Sequence, residues 1–334
     1  MDESYDVVVV GGGAAGLSGA VALARSRRSV LVVDAGDPRN TPADHVHNFL
    51  TRDGTPPAEL YAAGRAEVTR YGGRVETGRV TALSRDSSRD SSRDSSPDSS
   101  RDGSRDGELF WVEIGPRTLA ARRLLAATGL RDELPDVPGL AARWGIDVLH
   151  CAYCHGFQVR DKRIGVLATG PTAVHQALLF RQLSPHVTLL RHTGPAPDGE
   201  QRKQLKARGI AIAEGTVEEI EADPAGLTGV RLAGDRRVAL DALVVAPRGQ
   251  ARAELLAPLG LKLAEVLLGE HVVGTRIEAG PAGATAVPGV WVAGNLTDIQ
   301  AQVITAAAAG LTAGAAINLD LVLEETRQAV GAGS

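Results

Sequence analysis

The sequence predicts an α/β protein made of two Rossmann-like (three-layer) nucleotide-binding domains, the second inserted in the first. Three observations carry this expectation. A strand, a glycine-rich turn, a helix, a second strand and an acid follow one another from Tyr5 to Asp34. A weaker copy of the same run begins at Arg163. After residue 248 the chain supplies one more strand and a helix of small residues, which suits a return to the first unit. The expected boundaries are 1–132 and 249–334 for the two parts of the first domain and 133–248 for the insertion.

The first run is the most informative. Tyr5-Asp6-Val7-Val8-Val9-Val10 is apolar, continuous and β-branched, as a strand buried on both faces must be. Gly11-Gly12-Gly13-Ala14-Ala15-Gly16 follows, then a helix from Leu17 to about Ala24, then the strand Ser29–Val33, which ends at Asp34. Glycines in this spacing permit a tight turn and bring bare backbone up to a pyrophosphate at the helix N-terminus. The acid at the end of the second strand accepts hydrogen bonds from a ribose.

The remaining elements are read in order. Arg79–Leu83 and Leu109–Ile114 have strand character. Between them, residues 84–107 repeat Ser, Arg and Asp with no Val, Ile, Leu or aromatic residue, so they cannot bury surface to offset ordering entropy. They are expected to form a disordered hairpin loop, since loop closure costs grow only logarithmically with length. Leu124–Gly129 reads as a strand ending in Thr-Gly, and Pro135, Pro138 and Gly139 mark a domain crossover. Arg163–Leu167, a turn at 168–173, a helix to about Leu183 and the strand Val187–Leu190 form the second unit. Leu240–Ala246 and Val290–Asn295 are further strands, and Gln302–Asn318 is a helix.

Composition excludes several classes. Hydrophobic residues are 43% and charged residues 23%, as in ordinary globular proteins, and the net charge of −4 offers nothing to nucleic acid or an acidic membrane. Aromatics are only 3%, so small residues must pack closely. The acidic start and the short apolar run after it fit neither a signal peptide nor a membrane span, and the expected compartment is the cytoplasm.

The two cysteines lie together in His150-Cys151-Ala152-Tyr153-Cys154-His155. A close pair in the cytoplasm is redox-active or metal-binding more often than structural. Cys-x-x-Cys-His is also the c-type haem attachment pattern, but that needs export and, for a Met axial ligand, a methionine other than Met1. A zinc site would need two more ligands beyond the pair, or both flanking histidines, whose proximity makes tetrahedral closure awkward, and no metal is expected. A redox pair remains. It needs a thiolate and a base, and His150 and His155 are both candidates.

Taken together and in order, Gly11-x-Gly13-x-x-Gly16, Ala127-Thr128-Gly129, Cys151-x-x-Cys154, the turn at 168–173, Gly294-Asn295 and Gln302–Ala307 resemble the low-molecular-weight thioredoxin reductase family, over all but the 84–107 insert. The resemblance implies FAD in the split domain and a homodimer, which the Ala-rich C-terminal helix also suits. Gly11, Gly13, Ala14, Ala15, Gly16 and Asp34 would hold the FAD pyrophosphate and ribose. Asn40, Val80, Thr128 and Gly129 would also lie against FAD, and Asn48 would contact the flavin. Gly294, Asn295, Gln302 and Val303 would meet its ribityl and pyrimidine side. Cys151 and Cys154 would be the redox pair.

The departures from that pattern matter. The reductases place Asp after the cysteine pair, where His155 stands here, and Asp where Asn295 stands. Ala168 replaces the first glycine of the second turn. Arg191-His192-Thr193 carries one Arg where the reductases carry a His-Arg-Arg cluster for NADPH, and no acid stands in to favour NADH. These features are similar to the thioredoxin-reductase-like dithiol oxidases of natural-product pathways, of the gliotoxin and holomycin kind. Such an enzyme closes a disulfide in a small-molecule dithiol and passes electrons through FAD to O2, leaving NADPH doubtful. A second reading is an NADPH-dependent reductase of a thioredoxin-like protein, and a third is a flavin-bearing redox sensor. His45 and His47 are candidates for the substrate pocket, while His175, His186 and His271 read as structural.

Overall fold

The computed structural model describes residues 3–85 and 109–333. Two sheets dominate it, one mixed and one parallel. The larger orders its strands as Arg74–Thr77, Val30–Asp34, Ser4–Val10, Arg117–Ala126, Phe110–Ile114 and Val80–Arg85, with Val290–Val292 also on Arg117–Ala126. The smaller runs Ala211–Ala213, Val187–Leu190, Ile164–Leu167, Ala242–Val244 and Val148–Leu149, all parallel. Val7, Val8 and Val9 are fully buried, as their unbroken apolar run predicts.

Arg117–Ala126 begins seven residues before the strand expected at Leu124. Its first half pairs antiparallel with Phe110–Ile114, and its second half pairs parallel with Val290–Val292 on the same edge. Ser4–Val10 runs along the other edge. The C-terminal strand therefore sits directly beside the N-terminal half of the sheet. The expected loop at 84–107 lies outside the described residues apart from Ser84 and Arg85, which pair with Trp111 and Phe110.

Leu130–Glu133 leaves this sheet and Arg248–Ala251 returns, and the two pair antiparallel. The hairpin Leu263–Leu268/His271–Ile277 extends that small sheet. A three-stranded meander, Val217–Asp223, Gly226–Leu232 and Arg236–Ala239, packs its own core against Val137 and Leu140. Sequence patterning did not separate these short strands from loops, because charged and exposed residues interrupt their buried positions.

The helix Val303–Ala332 is longer than the 302–318 expected. Its length and hydropathy would suffice for a membrane span. Here one face is core. A side chain at Gly310 would fall 1.9 Å from the Ala15 carbonyl, and one at Gly314 would fall 2.6 Å from the Gly19 carbonyl. The helix thus lies backbone to backbone on Ala14–Arg25, and small residues replace aromatic bulk in this core. Its second half is held by ion pairs, Arg123 with Asp320 and Glu324, and Arg122 with Glu324 and Glu325. The opposite face leaves Leu311, Leu319 and Leu323 exposed.

Replacing Gly310 with Ala should lower unfolding free energy by about 1–3 kcal/mol, the usual cost of overpacking. Chemical denaturation of the purified protein would check this, and an unchanged midpoint would contradict the backbone contact.

Candidate active site

One cavity of about 1800 Å³ runs between the two sheets. Typical small-molecule sites measure roughly 300–1,000 Å³, so this one has room for an extended dinucleotide and a second reactant. Its lining includes Gly11, Gly13, Ala14, Ala15, Asp34, Asn40 and Val80, then Thr128, Gly129, Gly294, Asn295, Gln302 and Val303. Cys151, Cys154, His150 and His155 line it too. Residues as far apart in the sequence as Gly11 and Val303 thus face one space.

The dinucleotide end is built as follows. Gly11 has φ +106, and a side chain there would strike the Ala127 carbonyl. Gly13 caps the helix Ala14–Arg25 without any side-chain bond, and a side chain on it would meet no protein atom. The first N–H groups of a twelve-residue helix therefore face open cavity, the arrangement that suits a phosphate. Asp34 Oδ1 accepts from the N–H groups of Gly12 and Gly36 at 3.3 and 3.2 Å. Asn40 accepts from Tyr61 at 2.9 Å, and Thr128 donates to the Arg252 carbonyl at 2.6 Å. Bare backbone, an acid and a carboxamide in this layout fit the FAD that the fold family implies.

Two of the expected residues do not line the cavity. A side chain on Gly16 would fall 1.8 Å from the Gly11 carbonyl, so Gly16 closes the turn. Asn48, expected to contact the flavin, is the other. Its backbone is left-handed, with φ +60, and its N–H is held by Asp53 at 2.8 Å. Its carboxamide donates to the Tyr153 carbonyl at 2.6 Å.

At the other end, Cys151 and Cys154 form a disulfide with Cα atoms 5.2 Å apart. Cys151 caps the short helix Ala152–His155, its Sγ accepting from the Cys154 N–H at 3.1 Å. A donor aimed at this sulfur favours its thiolate once the pair is reduced. Gln176 donates to the His150 carbonyl at 3.2 Å.

The two histidines differ. His150 stacks on Trp144, with ring centroids 5.6 Å apart. Burial, helped by the nearby Arg39 guanidinium, pushes its pKa down to about 4, against the opposing pull of Asp132. His155 is also held below the usual histidine range, by burial first and then by His47, with Asp44 opposing. Both ring nitrogens of His155 are buried with no hydrogen-bond partner among the described residues. A neutral imidazole with an uncommitted lone pair beside a cysteine pair can take a thiol proton.

Residues 5–310 match the family described as pyridine nucleotide-disulphide oxidoreductase. The chain belongs to that family. It is an oxidoreductase acting on thiol and disulfide groups. The chain is 42% identical to HlmI, whose crystal structure superposes with a TM-score of 0.85, covering 98% of this chain and 96% of that one. An oxidoreductase from Agrobacterium tumefaciens is 33% identical, with a TM-score of 0.83 and coverage of 96% and 99%. Thioredoxin reductase sirT of Leptosphaeria maculans is 30% identical over 94% of this chain and 93% of its own. The thioredoxin reductase of Streptococcus pyogenes shares the fold at 20% identity and a TM-score of 0.77.

Sequence reasoning missed Arg39, Gly12 and Trp144. Arg39 pairs with both oxygens of Asp132, at 2.7 and 2.8 Å, and reaches Asn295 at 3.5 Å. No local motif marks Arg39, whose partner Asp132 is 93 positions away, and the stacking of Trp144 on His150 follows no motif either. Gly12 had a signal in the run of three glycines, since a side chain there would strike Asp34.

Two outcomes are expected. Gly13→Ala should leave the stability of the flavin-free protein within about 0.5 kcal/mol, yet weaken flavin binding on the order of tenfold. Paired denaturation and flavin fluorescence titrations would show it. Secondly, the folded state keeps His150 neutral while the unfolded chain takes up a proton near pH 6.5. Stability is therefore fully present above pH 6.5 and falls as pH drops toward 4, by on the order of 3 kcal/mol from this residue. Denaturation of wild type and His150→Asn across that window should show a shallower slope for the variant.

Proposed function

We propose that this enzyme is an FAD-dependent dithiol oxidase, forming an intramolecular disulfide in a small-molecule dithiol with O2 as acceptor and hydrogen peroxide as product. The observation that carries this reading is the state of the second nucleotide turn. Ala168 stands where the first glycine of a dinucleotide turn belongs, and its carbonyl accepts from the Gly194 N–H at 2.6 Å. Arg191 lies 3.6 Å from Glu214, which offsets its charge. His192 Nδ1 accepts from the Val217 N–H at 3.1 Å, and burial lowers the pKa of this ring, leaving it neutral. Little positive charge remains for the 2′-phosphate of NADPH. The greater similarity to HlmI than to the Streptococcus reductase supports the same reading.

The residues would act in sequence. A substrate thiolate attacks the outer sulfur, assigned to Cys151, and breaks the Cys151–Cys154 bond. The second substrate thiol, losing its proton to a histidine, attacks the mixed disulfide and leaves as the closed disulfide, with both cysteines reduced. His155 suits the proton transfer better than His150, whose low pKa makes it a weak base near neutral pH. Gly11, Gly13, Asp34, Asn40, Thr128 and Gln302 would hold the cofactor along the cavity. FAD, when bound, supplies the two-electron acceptor that restores the protein disulfide and is reoxidised by oxygen.

Anaerobic mixing of the yellow protein with dithiothreitol should bleach the flavin absorbance, and NADPH should not. Cys154→Ser should abolish the bleaching while His155→Gln slows it by roughly 10²-fold. Fast bleaching by NADPH would instead favour reduction of a thioredoxin-like protein.

A further inference from the structure

The cysteine-bearing unit joins the rest of the chain at two crossings, Leu130–Glu133 and Arg248–Ala251. Crossings of this kind leave an inserted unit free to swing unless other contacts hold it. Such contacts come from one short stretch of the first unit. Arg39 pairs with Asp132. Pro42 lies so close to Gly145 that a side chain there would fall 2.7 Å from the Pro42 ring. His47 meets Gln158 at 2.7 Å, and Asn48 donates to Tyr153 at 2.6 Å.

The last two contacts reach the redox motif itself. The Tyr153 carbonyl belongs to the peptide unit leading into Cys154. It takes its bond from outside the unit, while Gln176 holds the carbonyl before Cys151 from inside. The loop behind Asn48 is stiffened to match. Val46 and Thr55 form a bridge, the Val46 carbonyl accepts from Gly54, and Asp53 takes the Asn48 N–H. Asp53 also lies 3.4 Å from His47 Nδ1. One tautomer serves both His47 contacts: Nδ1–H donates to Asp53, and Nε2 accepts from the Gln158 amide. The left-handed backbone at Asn48 is one that Asn tolerates better than most residues, and it aims the carboxamide at Tyr153.

We propose that Asn48 and His47 are positioning residues, forming a latch from the first unit that holds the Cys151–Cys154 loop in register for thiol–disulfide exchange. A loop held this way reaches its reacting geometry before substrate arrives, and small displacements at such a site cost large factors in rate. The rate consequence rests on the dithiol reaction proposed above, whereas the structural consequence does not.

The test uses the full-length flavin-loaded protein and two readouts. Asn48→Asp keeps the left-handed tolerance but sets an acceptor against the Tyr153 carbonyl, and Asn48→Gly removes the carboxamide without backbone strain. Amide hydrogen exchange should quicken over residues 151–158 in both variants and in His47→Phe, and stay as in wild type in the sheet strands. Anaerobic bleaching by dithiothreitol should slow about fivefold to tenfold in Asn48→Gly, the scale of one neutral hydrogen bond, with the flavin spectrum and FAD affinity unchanged. Unchanged exchange over 151–158, or an unchanged bleaching rate, would overturn the latch. A shifted flavin spectrum would overturn it in favour of a direct flavin contact. If wild type itself is not bleached by dithiothreitol, the proposed reaction fails, and the exchange data alone decide the latch.

Discussion

Everything in this molecule depends on the close crossing of two helices, Ala14–Arg25 and Val303–Ala332. Gly310 and Gly314 lie on the carbonyls of Ala15 and Gly19, at distances no side chain could occupy. That contact draws the C-terminal strand and helix onto the N-terminal half of the sheet. It brings Gln302 and Val303 to the same cavity as Gly13. It adds to the ladder of Val290–Val292 on Leu124–Ala126, the pairing of Arg248–Ala251 with Leu130–Glu133, and a core in which Leu256 and Leu296 join Val8 and Phe110.

The cavity that results has two chemically distinct ends. One is bare backbone at a helix N-terminus, open to a phosphate and bounded by Asp34. The other is a cysteine pair among buried, neutral histidines. Burial sets the protonation state at the second end. It holds His155 in its unprotonated form, and no competing hydrogen bond among the described residues ties up its ring. Arg39 connects the two ends, pairing with Asp132 on the crossing strand and reaching Asn295, while its charge helps keep His150 neutral.

Much of this was legible in the sequence. The run Tyr5–Asp34 announces its own fold, because every element of it is local and strongly patterned. The cysteine motif is equally local, and its flanking histidines are visible at once. What escaped reading depends on distant partners. The strand Arg117–Ala126 has charged residues where hydrophobic ones were sought, since Arg122 and Arg123 pair with acids some 200 positions later. Asn48 stood in a family motif, but its orientation is decided by Asp53 and a left-handed backbone that the motif does not encode. The altered second turn was half legible. Ala168 showed in the sequence, whereas the folding of Gly194 onto it did not.

The central claim is that electrons leave a small dithiol for oxygen without a nicotinamide. The most direct measurement is stoichiometric. Oxygen uptake, peroxide and substrate disulfide would be followed together, in the presence and absence of NADPH. The account predicts one oxygen consumed and one peroxide formed per disulfide closed, with no NADPH oxidised. Turnover that requires NADPH and opens a disulfide would contradict it.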